Sequence, residues 1–314
     1  MFFLTAEIVK KIPLATRPGF LSLLFMLVSL IPLTAQKPLN LPVTDSGAVL
    51  EKIAGGFSFT EGPSPDMEGN VYFTDQPNDR IIKWSISGKL STFMQPSGRS
   101  NGMFTDKDGF LWSCADEKNE LWKISPDKKV EIITGKFDGK PFNGPNDVWV
   151  APCGNVYITD PFYQRSWWNH KEMPQEKERV YLLSADHRSL RIVIDDLKKP
   201  NGIVGTPDGK YLYVADIEGN LTWKYHINSD GTLSGKTLFC ELGSDGMTMD
   251  EKGNLYLTGN GVTIFDNDGT KIGNIPVPEK WTANVCFGGA DHKSLFITAT
   301  TGLYRVRMKF RGAF

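Results

Sequence analysis

Side chains suited to thiol, zinc or nucleophilic chemistry are scarce in this sequence of 314 residues. It has four cysteines and four histidines, and neither a CxxC pair nor a Cys/His metal pattern occurs among them. These absences exclude zinc fingers and thioredoxin-like redox proteins. The histidines do not lie in corresponding loops, which argues against a serine hydrolase.

An excess of positive charge is also lacking. The 35 Lys and Arg residues face 36 Asp and Glu residues, which gives a net charge of −1. A chain without an overall basic field has no general attraction for nucleic acid, so we expect no nucleic-acid partner. Amphipathic helix spacing is absent from the body of the chain, whereas 31 glycines and 19 prolines indicate frequent turns.

The beginning of the chain differs in composition from the rest. Basic residues precede an uncharged run of 14 residues at 20–33, and small and polar residues follow it. This pattern is typical of a signal peptide at 1–35, cleaved after Ala35 and followed by a linker at 36–47. We therefore expect a secreted or periplasmic protein with no stable membrane span in its mature form. An uncleaved membrane anchor is the alternative, although a bilayer span needs roughly 20 residues.

Export would place the cysteines in an oxidising compartment, where they could pair. They stand at positions 114, 153, 240 and 286. Their spacing does not fix a pairing, and we expect buried free thiols.

The remainder, 48–314, repeats one unit six times. Each copy has a short turn followed by an alternating aromatic and β-branched run, as in DMEG-NVYFTD and TPDG-KYLYVAD. The turn positions lie 40, 45, 55, 44 and 39 residues apart, at Gly69, Gly109, Gly154, Gly209, Gly253 and His292. This period is typical of four-stranded propeller blades. A single all-β, six-bladed β-propeller is therefore predicted, because a β-sandwich would not explain the period.

The two ends of the repeat region complement each other. The last copy ends after GLYRVRM at 302–308, one strand short of a full blade, while an extra strand, VLEKIAG at 49–55, precedes the first copy. We predict that the N-terminal strand closes the last blade, because closure removes exposed sheet edges.

A side-chain oxygen recurs eight residues before each turn position. The six residues are Glu61, Asn101, Asn146, Asn201, Asp245 and Asn284. They should open the innermost strands and surround the channel at similar height. Two carboxylates and several amide oxygens on one axis would repel one another unless a cation lies between them. A divalent cation is predicted: calcium suits such oxygens best, and Mg, Mn or an oxygen-ligated Zn remain alternatives.

Several motifs within these repeats resemble those of the SMP-30/gluconolactonase family. They are FTEGP (59–63), RSNG (99–102), GPNDV (144–148), ITDP (158–161), KPNGI (199–203), SDGM (244–247) and CFGG (286–289). The resemblance implies a six-bladed propeller that binds one divalent cation in its channel and hydrolyses sugar lactones or related esters. A sugar lactone is accordingly the expected small-molecule partner.

The resemblance also implies roles for individual residues. The metal ligands would be Glu61, Asn201 and Asp245, with Asn146 as a fourth ligand. Arg99 and Asn101 match the part of the pattern that contacts substrate. Asp147, beside one ligand, is expected to be structural.

An insertion at 162–179 lengthens the third copy and has no counterpart in the others. Its residues Tyr163, Trp167 and Trp168 could cap the channel, or they could pack as an ordinary surface loop.

For catalysis, the cation would polarise the lactone carbonyl and Asp245 would act as the general base. Two alternatives stay open at this point. One is a metal-dependent esterase or phosphotriesterase on the same scaffold. The other is a non-catalytic exported propeller that binds carbohydrate or protein.

Overall fold

The computed structural model describes residues 37–314, and they form six four-stranded antiparallel sheets around a central channel. The predicted six-bladed β-propeller is therefore confirmed. The predicted signal peptide at 1–35 lies outside the described residues. In the described part of the chain, a 3-10 turn at Gln76–Asn78 is the sole helical element, and no helix could cross a membrane.

In each of the first three blades, the four strands follow chain order from the channel to the outer edge. A separate strand, β1 (Glu51–Gly55), precedes them. The first blade consists of β2 (Thr60–Pro65), β3 (Val71–Asp75), β4 (Arg80–Trp84) and β5 (Leu90–Met94). The second consists of β6 (Ser100–Thr105), β7 (Leu111–Ala115), β8 (Glu120–Ile124) and β9 (Val130–Thr134). A small hairpin of β10 (Lys136–Phe137) and β11 (Lys140–Pro141) leads to the third, which consists of β12 (Val148–Val150), β13 (Val156–Asp160), β14 (Arg179–Leu183) and β15 (Leu190–Ile194).

The next two blades follow the same order. The fourth consists of β16 (Pro200–Gly205), β17 (Tyr211–Asp216), β18 (Leu221–Ile227) and β19 (Leu233–Cys240). The fifth consists of β20 (Met247–Met249), β21 (Leu255–Gly259), β22 (Gly261–Phe265) and β23 (Lys271–Ile275). The sixth has three strands from this end of the chain, β24 (Thr282–Gly288), β25 (Ser294–Ala299) and β26 (Gly302–Arg307).

The outer strand of the sixth blade comes from the N-terminal side, as predicted. β1 pairs antiparallel with β26, so that Glu51 lies opposite Arg305 and Gly55 opposite Gly302. An ion pair of 2.6 Å between Glu51 and Arg305 reinforces the pairing. The ring is thus closed by hydrogen bonds between the two ends of the repeat region.

Each inner strand is followed by a turn in which the predicted turn residue has a left-handed backbone. The φ angle is +88° at Gly69 and +54° at His292, the equivalent position of the sixth copy. In the first turn Asp66 Oδ1 accepts hydrogen bonds from the backbone amides of Glu68 and Asn70 at 3.1 and 2.9 Å. The alternating runs that follow place aromatic and aliphatic side chains between neighbouring blades, where they are buried.

The segment predicted to be a linker is packed against the propeller from Leu39 to Ala48. Val43 and Ala48 are buried among residues of the fifth and sixth blades, and Thr44 pairs with Met308. Apolar residues in this segment explain the packing, because leaving them exposed to water would cost free energy.

The C-terminal residues close the channel at the turn end. Gly312 pairs with Asp250, Ala313 donates a backbone hydrogen bond to Met249, and Phe314 packs against Phe104 with ring centroids 5.8 Å apart. The opposite end, where the inner strands begin, therefore gives access to the channel.

All four cysteines are free thiols in the structure. Cys114, Cys240 and Cys286 are buried as expected, whereas Cys153 is exposed in a turn. The expectation of burial is therefore wrong for Cys153, because the third blade uses a cysteine in its turn where other blades have polar residues.

Candidate active site

The recurring polar residues meet where the inner strands begin. Glu61, Asn101, Asn146 and Asp245 line one cavity of about 210 Å³. Asn201 contacts Asp245 beside this cavity. Asn284 lies deeper in the channel and reaches the site through its amide, which donates to Glu61 Oε2 at 3.2 Å. The equal spacing to the turns brings these six residues together because all six inner strands run the same way along the channel.

Glycine follows the polar residue in four of the six copies, at positions 62, 102, 202 and 246. A Cβ atom at Gly62 would collide with the carbonyl of Asn101 in the next blade, and one at Gly246 would collide with the side chain of Asn284. Gly62 has a left-handed φ of +46°, whereas the other three do not have a left-handed backbone. These glycines therefore permit close approach of neighbouring inner strands more than they form turns.

Hydrogen bonds fix both oxygens of Asp245. Its Oδ1 accepts from Asn201 Nδ2 at 2.9 Å, and its Oδ2 accepts from Trp281 Nε1 at 2.6 Å. The same Asn201 amide nitrogen donates to the Tyr163 hydroxyl at 3.0 Å. The carboxylate is therefore held between the fourth, fifth and sixth blades.

Two amide oxygens at the site have no hydrogen-bond partner. They are Oδ1 of Asn101 and Oδ1 of Asn201, whose side chains are 3% and 1% exposed. A buried polar atom without a partner costs about 1–3 kcal/mol. Amide and carboxylate oxygens are the metal ligands that calcium prefers. The unpartnered oxygen of Asn201, together with the carboxylates of Glu61 and Asp245, therefore fits a hard divalent cation.

Burial governs the acidity of the two carboxyl groups. It raises the pKa of Glu61 well above its ordinary value, and the neighbouring Asp245 raises it further. Burial also raises the pKa of Asp245 to about 6, against the hydrogen bonds from Trp281 and Asn201, which lower it. A cation bound between the carboxylates would favour their ionised forms.

The donor set does not resemble a zinc site. Among residues 37–314, no three His, Cys, Asp or Glu side chains come together in a group that could hold a metal ion. Two carboxylates supplemented by carboxamides suit calcium or magnesium better than zinc, which prefers nitrogen and sulfur ligands.

The two predicted substrate contacts have different positions. Asn101 lines the cavity, but Arg99 does not. The Arg99 guanidinium lies 4.7 Å from the ring of Trp167 and donates to the carbonyl of Pro77 at 2.7 Å. Arg99 therefore lies against Trp167 outside the cavity lining, and its contact with substrate remains a prediction.

The pentapeptide Gly98–Gly102 has the GxSxG spacing of a nucleophile elbow, with Ser100 at its centre. The positions of the histidines alone did not take this motif into account. Ser100 is fully buried in β6. Its hydroxyl donates to the carbonyl of Ser97 at 2.7 Å and is 2.6 Å from the hydroxyl of Ser113. Ser100 is thus inaccessible to a substrate.

Asp147 faces the closed part of the channel rather than the cavity. Its Oδ1 accepts from the backbone amide of Val148 at 3.0 Å, and burial raises its pKa to about 8. These contacts support the structural role expected for it.

The insertion supplies part of the cavity wall. Tyr163 and Arg165 line the cavity, and the indole of Trp168 is buried and donates to the carbonyl of Asp116 at 2.7 Å. Sequence reasoning selected Tyr163 and the tryptophans but missed Arg165. It also missed Phe59, Gln76, Ile217 and Trp281, which complete the wall. The length of the insertion was the one signal for Arg165, since residues 162–179 have no counterpart in the other copies of the repeat.

Comparison with known proteins agrees with this architecture. The sequence model of the SMP-30/Gluconolactonase/LRE-like region matches residues 59–301, which extend from the first blade into the sixth. The chain belongs to the SMP-30/gluconolactonase family.

Several similar proteins match most of the chain. A gluconolactonase of Zymomonas mobilis is 31% identical over 301 residues, 86% of this chain and 84% of the relative. The solved structure of XC5397, a gluconolactonase from Xanthomonas campestris, is 26% identical, with a TM-score of 0.78 over 84% of this chain and 91% of the other. The calcium-binding protein regucalcin from Agrobacterium tumefaciens shares the fold, with 18% identity and a TM-score of 0.68 over 83% and 93% of the two chains.

Proposed function

We propose that this protein is a divalent-cation-dependent lactonase that opens a sugar lactone. This proposal rests on the group of buried carboxylate and carboxamide oxygens at the open end of the channel, two of which have no hydrogen-bond partner. Two of the similar proteins named above are gluconolactonases, which supports an aldonolactone as the substrate class.

The proposed cation ligands are Glu61, Asn146, Asn201 and Asp245. When bound, calcium or another divalent cation would polarise the lactone carbonyl and make a nearby water more acidic. Glu61 would contribute charge from the first blade. The carboxamide oxygens of Asn146 and Asn201 would add neutral donors, so that the ligand set binds a cation without excess negative charge.

Asp245 is proposed as the general base. Its carboxylate faces the cavity and is oriented by Asn201 and Trp281. Each oxygen accepts one hydrogen bond, which leaves further lone pairs to receive a proton from an attacking water. Asn101, whose amide lines the same cavity, is proposed to orient a hydroxyl group of the substrate.

Substrate profiling tests this function against its alternatives. Purified protein should hydrolyse D-glucono-δ-lactone faster than phenyl acetate or a phosphotriester, and Asp245→Asn should abolish most of that rate. The matched control is Asp291→Asn, a substitution of the same kind in an aspartate that pairs with Arg307 outside the cavity. Preferential hydrolysis of the phosphotriester would favour the phosphotriesterase alternative, and no hydrolysis of any ester would favour a binding protein.

Export is proposed from the composition of residues 1–35. Cleavage after Ala35 would leave the packed segment from Leu39 onward intact. N-terminal sequencing of protein from the native host should find a start near Gln36. Recovery of Met1 in the membrane fraction would support an uncleaved anchor instead.

A further inference from the structure

Arg165 is the one basic residue among the described residues that line the cavity. Its Nε donates to Oδ2 of Asp116 at 2.8 Å, and the Arg165 side chain remains 21% exposed. Neither of its Nη groups donates to a protein acceptor within residues 37–314, where this Nε bond is the sole hydrogen bond of the Arg165 side chain. Those groups are therefore available to a ligand in the cavity.

Asp116 is placed to neutralise this arginine. The side chain is 1% exposed, and besides Arg165 it accepts from Gln76 Nε2 at 3.0 Å. Burial raises its pKa to about 6, against Arg165, which lowers it. Asp116 is therefore ionised at pH 7.5, and the pair carries no net charge there.

Aspartates near the same place in three other blades hold backbone amides, which the Asp116 carboxylate does not. Three further aspartates end the second strand of their blades, and each accepts backbone amides of the loop before its own blade. Asp75 accepts from Ser58 and Phe59, Asp160 from Asn143 and Gly144, and Asp216 from Lys198 and Lys199. The hydrogen bonds to the Asp116 carboxylate come instead from side chains of the first blade and of the insertion. Its carboxylate is thus not needed to hold its own loop.

The insertion keeps the pair in place. Trp168 donates to the backbone carbonyl of Asp116 at 2.7 Å and stacks on His170 with ring centroids 4.9 Å apart. The Arg165 guanidinium also lies 5.6 Å from the ring centroid of Tyr163. The ring centroid of Trp167 lies 5.7 Å from the same guanidinium. A guanidinium held by Asp116, Tyr163 and Trp167 loses little further freedom when it binds a ligand.

We propose that Arg165 binds hydroxyl groups of a neutral sugar lactone, and that Asp116 neutralises Arg165 so that the cavity does not retain the anionic hydroxy acid. The inference rests on the proposed function, because that acid is the product. Hydrolysis adds one water across the acyl C–O bond, and the acid formed loses a proton at neutral pH. An unneutralised arginine would attract this carboxylate.

Calorimetry at pH 7.5 tests the proposal with two probes, D-gluconate and the neutral, non-hydrolysable D-glucono-δ-lactam. Titrations are run with chelator, which removes any contribution of a cation, and again with calcium. Asp116→Asn should bind gluconate about tenfold more tightly than the natural protein, since one compensating charge is lost near the ligand. Its affinity for the lactam should change less than about threefold, because the Arg165 hydrogen-bond donors remain.

The tighter binding of gluconate should require the arginine. It should disappear in the double variant Asp116→Asn/Arg165→Gln, and Asp291→Asn should not show it. Unchanged gluconate affinity in folded Asp116→Asn, or a gain that persists in the double variant, would overturn the proposal. Should Asp116→Asn fail to fold, Arg165→Gln decides alone: it should weaken lactam binding about tenfold, and an unaltered lactam affinity would contradict the assignment.

Lactone hydrolysis measured on the same preparations separates this inference from the function. If the affinities of the variants change as predicted but the natural protein hydrolyses no lactone, the lactonase proposal alone is contradicted. Hydrolysis with no change in gluconate affinity in Asp116→Asn would contradict the role of Asp116 alone.

Discussion

The side-chain amide of Asn201 donates a hydrogen bond of 2.9 Å to Oδ1 of Asp245, which joins the inner ends of the fourth and fifth blades. The amide nitrogen donates to Asp245 and Tyr163, whereas the Asn201 oxygen is buried and without a partner. One amide thus orients the proposed base and presents an oxygen to the proposed cation.

Replacing Asp245 by Asn should lower the turnover number for lactone by about 100-fold or more, in the range of general-base catalysis. The substitution keeps an oxygen near the cation but removes the proton acceptor. Steady-state kinetics with saturating calcium provides the measurement. Trp281→Phe is the control: it removes the hydrogen bond to Oδ2 while keeping an aromatic ring in the cavity wall, and it should cost less than tenfold. Equal losses in the two variants would argue against Asp245 as the base.

Glu61→Gln should weaken calcium binding more than it affects turnover at saturating calcium. The change removes one charge from the proposed ligand set while retaining the shape of the side chain and the hydrogen bond from Gly62 to the remaining oxygen. Calorimetric titration with calcium measures the affinity. An unchanged dissociation constant would remove Glu61 from the ligands.

A chain that begins at Gly56 should lose cooperative unfolding or aggregate, because it lacks β1 and exposes the edge of β26. The control begins at Lys37 and retains β1 together with the packed segment from Leu39 to Ala48. Circular dichroism melts and light scattering compare the two. Identical melting of both chains would contradict ring closure by β1.

The ion pair between Asp291 and Arg307 should contribute an acid-dependent part of stability. The hydrogen bonds that Asp291 accepts from Arg307 lower the pKa of Asp291 to about 2 from an ordinary value of 3.8. Since the folded state lowers this pKa, the contribution is complete above about pH 4 and is lost as the pH falls toward 2. In denaturant titrations, Asp291→Asn should reduce the loss of stability between pH 4 and pH 2. An unchanged slope would show that the pair contributes nothing.

The repeat explains why the fold and part of the site could be predicted. Equal spacing before the turns predicts similar heights in the channel, so Glu61 and Asp245 could be assigned to one site from spacing alone. Spacing did not show that Asn284 lies deeper in the channel, where its amide donates to Glu61 Oε2.

Residues outside the repeat could not be located in the same way. Arg165 and Tyr163 come from the insertion, whose path depends on tertiary contacts such as that between Trp168 and Asp116. Arg99 was assigned to substrate by resemblance, but Trp167 from the insertion covers its guanidinium. A loop present in one blade only has no internal copy with which it can be compared.

Cation dependence of lactone opening tests the central proposal most directly. The rate of D-glucono-δ-lactone hydrolysis above the spontaneous rate is measured on protein treated with chelator and then on the same protein after calcium is restored. We predict that the enzymatic rate falls to background with chelator and returns with calcium. A rate that is unaffected by chelator, on protein shown by elemental analysis to hold no divalent cation, would contradict it.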